Sequence, residues 1–168
     1  MSLYSVDKLI AETRRLAAEY RRSTGAALPV TAEIARHDVA RLLGLELVPL
    51  TAEGGYDAVG TGRWDGRRIQ IKGRALFDEG KASPRIGQFK THQEWDLVML
   101  LLLDEDYEPT EIYALERADL EAETAGRGGA RAKRGAISVA KFKIIGERVW
   151  SREYGLEDDG YWDNSLPS

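Results

Sequence analysis

The chain has 168 residues, with 24 lysines and arginines against 28 acids and a formal charge of -4. That length carries one domain with a sizeable core, and a hydrophobic content of 43% is ordinary for a globular protein. With no cysteine and only His37 and His92, disulfides, thiolate zinc sites and a cysteine nucleophile are excluded, and oxygen ligands for a hard cation such as Mg²⁺ remain.

The basic residues are unevenly placed. Between Thr61 and His92 there are eight (Arg63, Arg67, Arg68, Lys72, Arg74, Lys81, Arg85, Lys90) against three acids. Between Gly126 and Ile145 there are six and no acid, after which the balance turns acidic. Such segments in an acidic chain suit local attraction to phosphate, or form solvated loops. The sequence begins without a long apolar core or cleavage site, and the run Leu97 to Leu103 is too short to span a bilayer. The expectation is one cytoplasmic domain over 1–168, with a core at about 30–150, an N-terminal helix at 6–22 and an acidic, aromatic tail at 151–168.

In chain order, Val6 to Arg22 reads as a helix ended by Gly25. Leu9, Ile10, Leu16, Ala17 and Tyr20 mark its apolar side, and Arg14, Arg15, Arg21 and Arg22 lie elsewhere. Thr31 is placed as the N-cap of a second helix over Ala32 to Leu43, with stripe residues Ala35, Val39, Leu42 and Leu43 and with Gly44 as its C-cap. Glu33 lies in the first turn of that helix. There it either complements the helix dipole or aims a carboxylate at the hairpin that follows.

Glu46-Leu47-Val48-Pro49 reads as a short edge strand. Next come Gly54 to Gly60 and Arg68 to Arg74, separated by Trp64-Asp65-Gly66-Arg67, and Asp-Gly is a strong hairpin signal. A two-residue turn there puts Lys72 opposite Val59 and Gln70 opposite Thr61. Strand alternation then sets Asp57, Gln70 and Lys72 on one face. A carboxylate, an amide oxygen and an ammonium on one patch suit a divalent cation and a polarised water.

Ala75 to Gln88 reads as a basic loop, and Gln88, Lys90, His92 and Gln93 are candidates for contact with phosphate or bases, His92 also as a general base. Trp95 to Leu103 reads as a strand buried on both faces, and Thr110 to Leu115 as its partner. Asp104-Glu105-Asp106 reads as a solvated turn rather than a metal cluster. Arg117 to Ala122 reads as a short helix, and Ala125 to Gly135 as a loop without a phosphate-binding glycine fingerprint. Ser138 is placed as the N-cap of a helix reaching Val149, with Ile137 as a possible staple. Trp150, Tyr154, Tyr161 and Trp162 suit docking on the body or on a second subunit.

The order Glu33 on a helix, Asp57 opening a hairpin and Gln70-x-Lys72 on its second strand resembles the PD-(D/E)xK nuclease superfamily. The resemblance covers about Ala32 to Glu116. It implies an α/β, restriction-endonuclease-like fold: a mixed central sheet flanked by helices. It also implies Mg²⁺ (or Mn²⁺) held by Asp57, Gln70 and Glu33, with Lys72 as the catalytic lysine. Two departures stand out: Gly55-Tyr56-Asp57 replaces the proline-aspartate pair, and Gln70 replaces an acid.

The function implied is Mg²⁺-dependent hydrolysis of phosphodiesters in DNA, in restriction, defence or repair, with Arg74, Arg85, Lys90 and His92 at the nucleic acid. The alternative is a catalytically inactive nuclease-fold module that binds nucleic acid or protein. No membrane partner is expected, and a homodimer through the tail or the outer helices is open.

Overall fold

The structure, a computed structural model, describes residues 5–49, 54–77, 84–87, 89, 94–125 and 137–157. Strand β5, Leu97–Leu103, is apolar at every position and buried at every position. A strand of that composition is stable only when both of its faces are covered. On one side β3 (Arg68–Ala75) pairs with it in parallel, Ile69 through Ala75 matching Leu97 through Leu103. On the other side β6 (Pro109–Glu116) pairs antiparallel.

The short strands β1 (Glu46–Leu47) and β2 (Ala58–Val59) extend the sheet beyond β3, and β8 (Glu147–Ser151) and β9 (Gly155–Leu156) extend it beyond β6. The order is β1-β2-β3-β5-β6-β8-β9, a mixed seven-stranded sheet. A separate two-stranded sheet joins β4 (Arg85–Ile86) to β7 (Ile137–Ser138). With α1 (Val6–Thr24), α2 (Thr31–Leu43), α3 (Arg117–Ala125) and α4 (Val139–Ile145), the described residues form an α/β fold of the expected class.

Alternation along β3 and β5 divides the core. Ile69, Ile71, Leu97, Met99, Leu101 and Leu103 pack with Ile34, Ala35 and Val39 of α2 and with Ala17 and Ala18 of α1. Val98, Leu100 and Leu102 pack on the other face with Phe142 of α4, Ile86, Phe89 and Trp95. Helix α2 lies very close to β3 at Gly73, where an added Cβ would stand 2.5 Å from the Ala35 Cβ and 3.3 Å from the Thr31 carbonyl oxygen. Only glycine leaves room for this approach.

Several expectations are corrected. The hairpin loop is longer than two residues. Gly60 N–H donates to the Arg67 carbonyl, and a 3-10 turn (Gly62–Trp64) fills the space between. The register therefore pairs Val59 with Arg68 and Ala58 with Ile69. This differs from the expected pairing by an even number of residues, so the parity that relates Asp57 to Gln70 and Lys72 survives.

Helix α1 buries Arg14, Ala17 and Ala18, half-buries Ile10 and exposes Leu9, Leu16 and Tyr20, so only part of its expected apolar side is docked. The reason is an ion pair with α2. Arg14 forks onto Asp38 through Nη2–Oδ1 at 2.6 Å and Nη1–Oδ2 at 2.8 Å, and Nη1 also donates to the Tyr107 carbonyl. Buried charges persist only when paired in this way.

Thr31 is the first helical residue of α2, and its N-cap is Val30, which gives no side-chain cap. Ser138 does cap α4, its Oγ accepting from Lys141 N–H at 3.1 Å. That helix ends at Ile145 instead of Val149, because Gly146 turns extended and β8 supplies the partner that the free edge of β6 requires. Residues 151–157 extend the sheet as the end of β8 and as β9, and Tyr154 is exposed on the body. Asp104 Oδ1 accepts from the N–H groups of Asp106 and Glu108, the turn that the sequence suggests. Among the described residues, no helix is long and apolar enough to cross a membrane.

Candidate functional site

Beyond Asp57 the chain leaves the sheet, and β2 has only two residues. Among the described residues, the side of β3 that faces β2 therefore has no strand partner past Ile69. Asp57 fills this gap. Its N–H donates to the Ile69 carbonyl at 2.8 Å, and its Oδ2 accepts the Ile71 N–H at 2.7 Å. Gln70 lies between the two residues that Asp57 binds. The Asp57 carbonyl in turn accepts from Val48 N–H at 2.9 Å. Both backbone polar groups of Asp57 are thus fixed.

Gln70 is 4% exposed. Its Nε2 makes one long hydrogen bond, 3.4 Å to the Gly55 carbonyl, and its Oε1 is buried without a hydrogen-bond partner among the described residues. A buried amide oxygen left unsatisfied costs about 1–3 kcal/mol, so its place in the core calls for an explanation. Two residues on, Lys72 Nζ lies 5.8 Å from the Phe89 ring centroid, within cation–π range.

Arg74 is next on the same face. It donates from Nε to the Arg85 carbonyl at 3.2 Å and from Nη1 to the Gly73 carbonyl at 2.6 Å. No carboxylate pairs with it among the described residues, and burial pushes its pKa below the ordinary arginine value. By contrast, Arg68 is held by Asp96 and Glu94 at 3.1 and 3.0 Å. Among the described residues, the two arginines of β3 therefore differ: Arg68, at its start, is paired with acids and Arg74, near its end, is not.

The residue of α2 that meets Asp57 is Arg36, which the sequence does not single out. Its Nε lies 3.8 Å from Asp57 Oδ1, and its Nη2 donates to the Val48 carbonyl. Arg36 is three residues beyond Glu33 and so one turn along the helix; this spacing was the available signal. Glu33 itself is exposed. It falls half a turn from Thr31 and Ala35, the two residues that face Gly73. The structure thus brings Asp57, Gln70, Lys72 and Arg74 to one region and leaves Glu33 at its margin. Arg85 lies beside Arg74 on β4, and Lys90 and His92 fall outside the described residues.

Among the described residues, no group of three or more His, Asp or Glu side chains could hold a metal ion. Mg²⁺ does not need one, since it keeps several waters and is commonly bound through one or two carboxylates. Asp57 supplies one such carboxylate, its Oδ1 facing the Arg36 guanidinium, which stands there as a competing cation. Searched against protein-family models and curated proteins, the chain matches no family and no curated protein.

Proposed function

We propose that the protein is a metal-dependent nuclease of the PD-(D/E)xK kind, hydrolysing phosphodiester bonds in DNA in the cytoplasm. The observation that carries this reading is the buried, unpartnered Oε1 of Gln70, held between the two residues that Asp57 binds. A cation on that oxygen would account for its burial and would be favoured by a carboxylate close by. Asp57 and Gln70 would hold Mg²⁺ or Mn²⁺, with Glu33 assisting from α2. When bound, the ion neutralises charge on the scissile phosphate and lowers the pKa of a bound water.

The chain's own residues have separate tasks. The Lys72 ammonium stabilises developing charge on the phosphate oxygens, and its stacking on Phe89 limits where it can reach. Arg74 and Arg85 contact backbone phosphates, which fixes register without reading sequence. Plasmid DNA incubated with Mn²⁺ should be nicked, and Asp57→Ala and Lys72→Ala should each abolish nicking. Cleavage that survives in both variants would reject the assignment.

A second reading, a nuclease-fold module that binds DNA without cutting, has its own observation. Both carboxylate oxygens of Asp57 face groups of the chain itself, the Ile71 N–H and Arg36. Such a protein would retard DNA on a gel, with an affinity that falls steeply with salt, and would leave the DNA intact in Mg²⁺ and Mn²⁺.

A further inference from the structure

Helix α1 is inverted relative to ordinary amphipathic packing. It turns Arg14, Ala17 and Ala18 inward. Outside remain Val6 at 54%, Leu9 at 45%, Leu16 at 53% and Tyr20 at 42% exposure. With Thr13 these residues follow spacings of three and four, one continuous stripe down the helix. A 3-4 alternation is the pattern by which one helix meets another. Four of the large apolar side chains that the protein exposes lie on this single stripe.

One flank of the stripe is the protein body. Along the other run Lys8, Glu12, Arg15, Glu19 and Arg22, alternating in sign. Arg22 is engaged with Glu19 at 3.6 Å and Asp106 at 3.3 Å. Lys8, Glu12 and Arg15 are exposed and form no ion pair among the described residues. Their order selects the occupant. We propose that α1 is the interface of a homodimer in which a second copy of the same helix packs antiparallel on this stripe.

A two-fold axis perpendicular to the helices keeps like flanks on the same side, so each charged row faces its own copy. With the axis between residues 14 and 15, Leu9 lies level with the partner's Tyr20 and Thr13 with the partner's Leu16. At a helical rise of 1.5 Å per residue, Glu12 is then about 3 Å along the axis from the partner's Arg15, and Glu19 about 3 Å from the partner's Lys8. Long side chains span that offset. A parallel arrangement would instead press the charged flank of one copy against the body of the other. The alternation is therefore complementary to itself in one orientation.

Sedimentation velocity on the full chain over a range of concentrations tests this. The expected result is a reversible species of twice the 18.7 kDa chain mass. Leu16→Lys should shift it to monomer, with unchanged circular dichroism. The charge row supplies a test that leaves the apolar surface intact. Glu12→Arg alone and Arg15→Glu alone each place like charges across the axis and should weaken the dimer roughly tenfold. Mixing these two variants should restore association, because each now carries the complement of the other. A monomer at all concentrations, or a dimer indifferent to these charge changes, would overturn the proposal.

Discussion

Arg36 Nε stands 3.8 Å from Asp57 Oδ1, joining helix α2 to the point where β2 leaves the sheet. Both the charge balance and the geometry of the candidate site pass through this pair. Asp57→Ala should cost about 2 kcal/mol, since it frees the Ile71 N–H and strands a largely buried guanidinium. Arg36→Met should cost less, and the double variant less than the sum, with a coupling of about 1 kcal/mol. Urea unfolding at neutral pH measures all three. Strict additivity would mean that the two side chains are neighbours without mutual stabilisation.

Gln70→Glu converts the unpartnered oxygen into part of a second carboxylate. Without a divalent cation, an acid so buried beside Asp57 should destabilise the fold by roughly 2–3 kcal/mol. A bound ion stabilises whichever state binds it, so Mn²⁺ should restore much of the loss and should raise the unfolding midpoint more in this variant than in the parent. An unfolding midpoint that ignores Mn²⁺ in both proteins would count against cation binding at Gln70.

Gly73→Ala should destabilise by about 1–3 kcal/mol, because the new methyl meets Ala35 and the Thr31 carbonyl with no flexible side chain to yield. Ala35→Gly in the same chain should recover part of that loss. The recovery is limited by the roughly 1 kcal/mol that glycine costs inside a helix. If Ala35→Gly gives no recovery, helix α2 does not lie where the described contact puts it.

The Arg68 side chain and backbone hydrogen-bond Asp96 and hold its carboxyl below the ordinary carboxylate value, despite partial burial. The folded state therefore binds fewer protons at this group than the unfolded state does. The resulting stability is fully present above the ordinary carboxylate pKa. It is lost as pH falls through the lower value that Asp96 has in the folded protein. Arg68→Gln should thus be less stable at neutral pH and should lose less between pH 7 and pH 3, as followed by urea midpoints across that range.

Much of the frame follows from residues that permit one reading. The seven apolar positions of β5 demand cover on both faces, and Gly25 and Gly44 both end their helices in the left-handed conformation. The parity of Asp57 with Gln70 and Lys72 was legible as well, because a longer loop changed the register by an even number. Other features depend on partners distant in sequence. Arg14 looks like a solvated residue until Asp38 is placed beside it, and that one pair rotates α1 about its axis and turns Leu9, Leu16 and Tyr20 outward. Val149 continues a helical spacing, but the unfilled edge of β6 draws residues 147–151 into a strand. At the site, Arg36 carried one signal, its place a turn beyond Glu33, and that spacing gains a meaning only once Asp57 is located.

The two-residue strands β1 and β2 also separate two kinds of stability. Amides in β5 are released only when the whole sheet opens, whereas the margin beyond β3 has few pairings to break. The amide of Ile71, held there by a carboxylate instead of a neighbouring strand, lies on the boundary between these regimes. Local fraying that frees it also frees Asp57 from its place, while the core stays closed. Hydrogen exchange would therefore register the candidate site as an independent, faster-opening unit. A ligand that engages Asp57 would slow that opening without altering the exchange of β5.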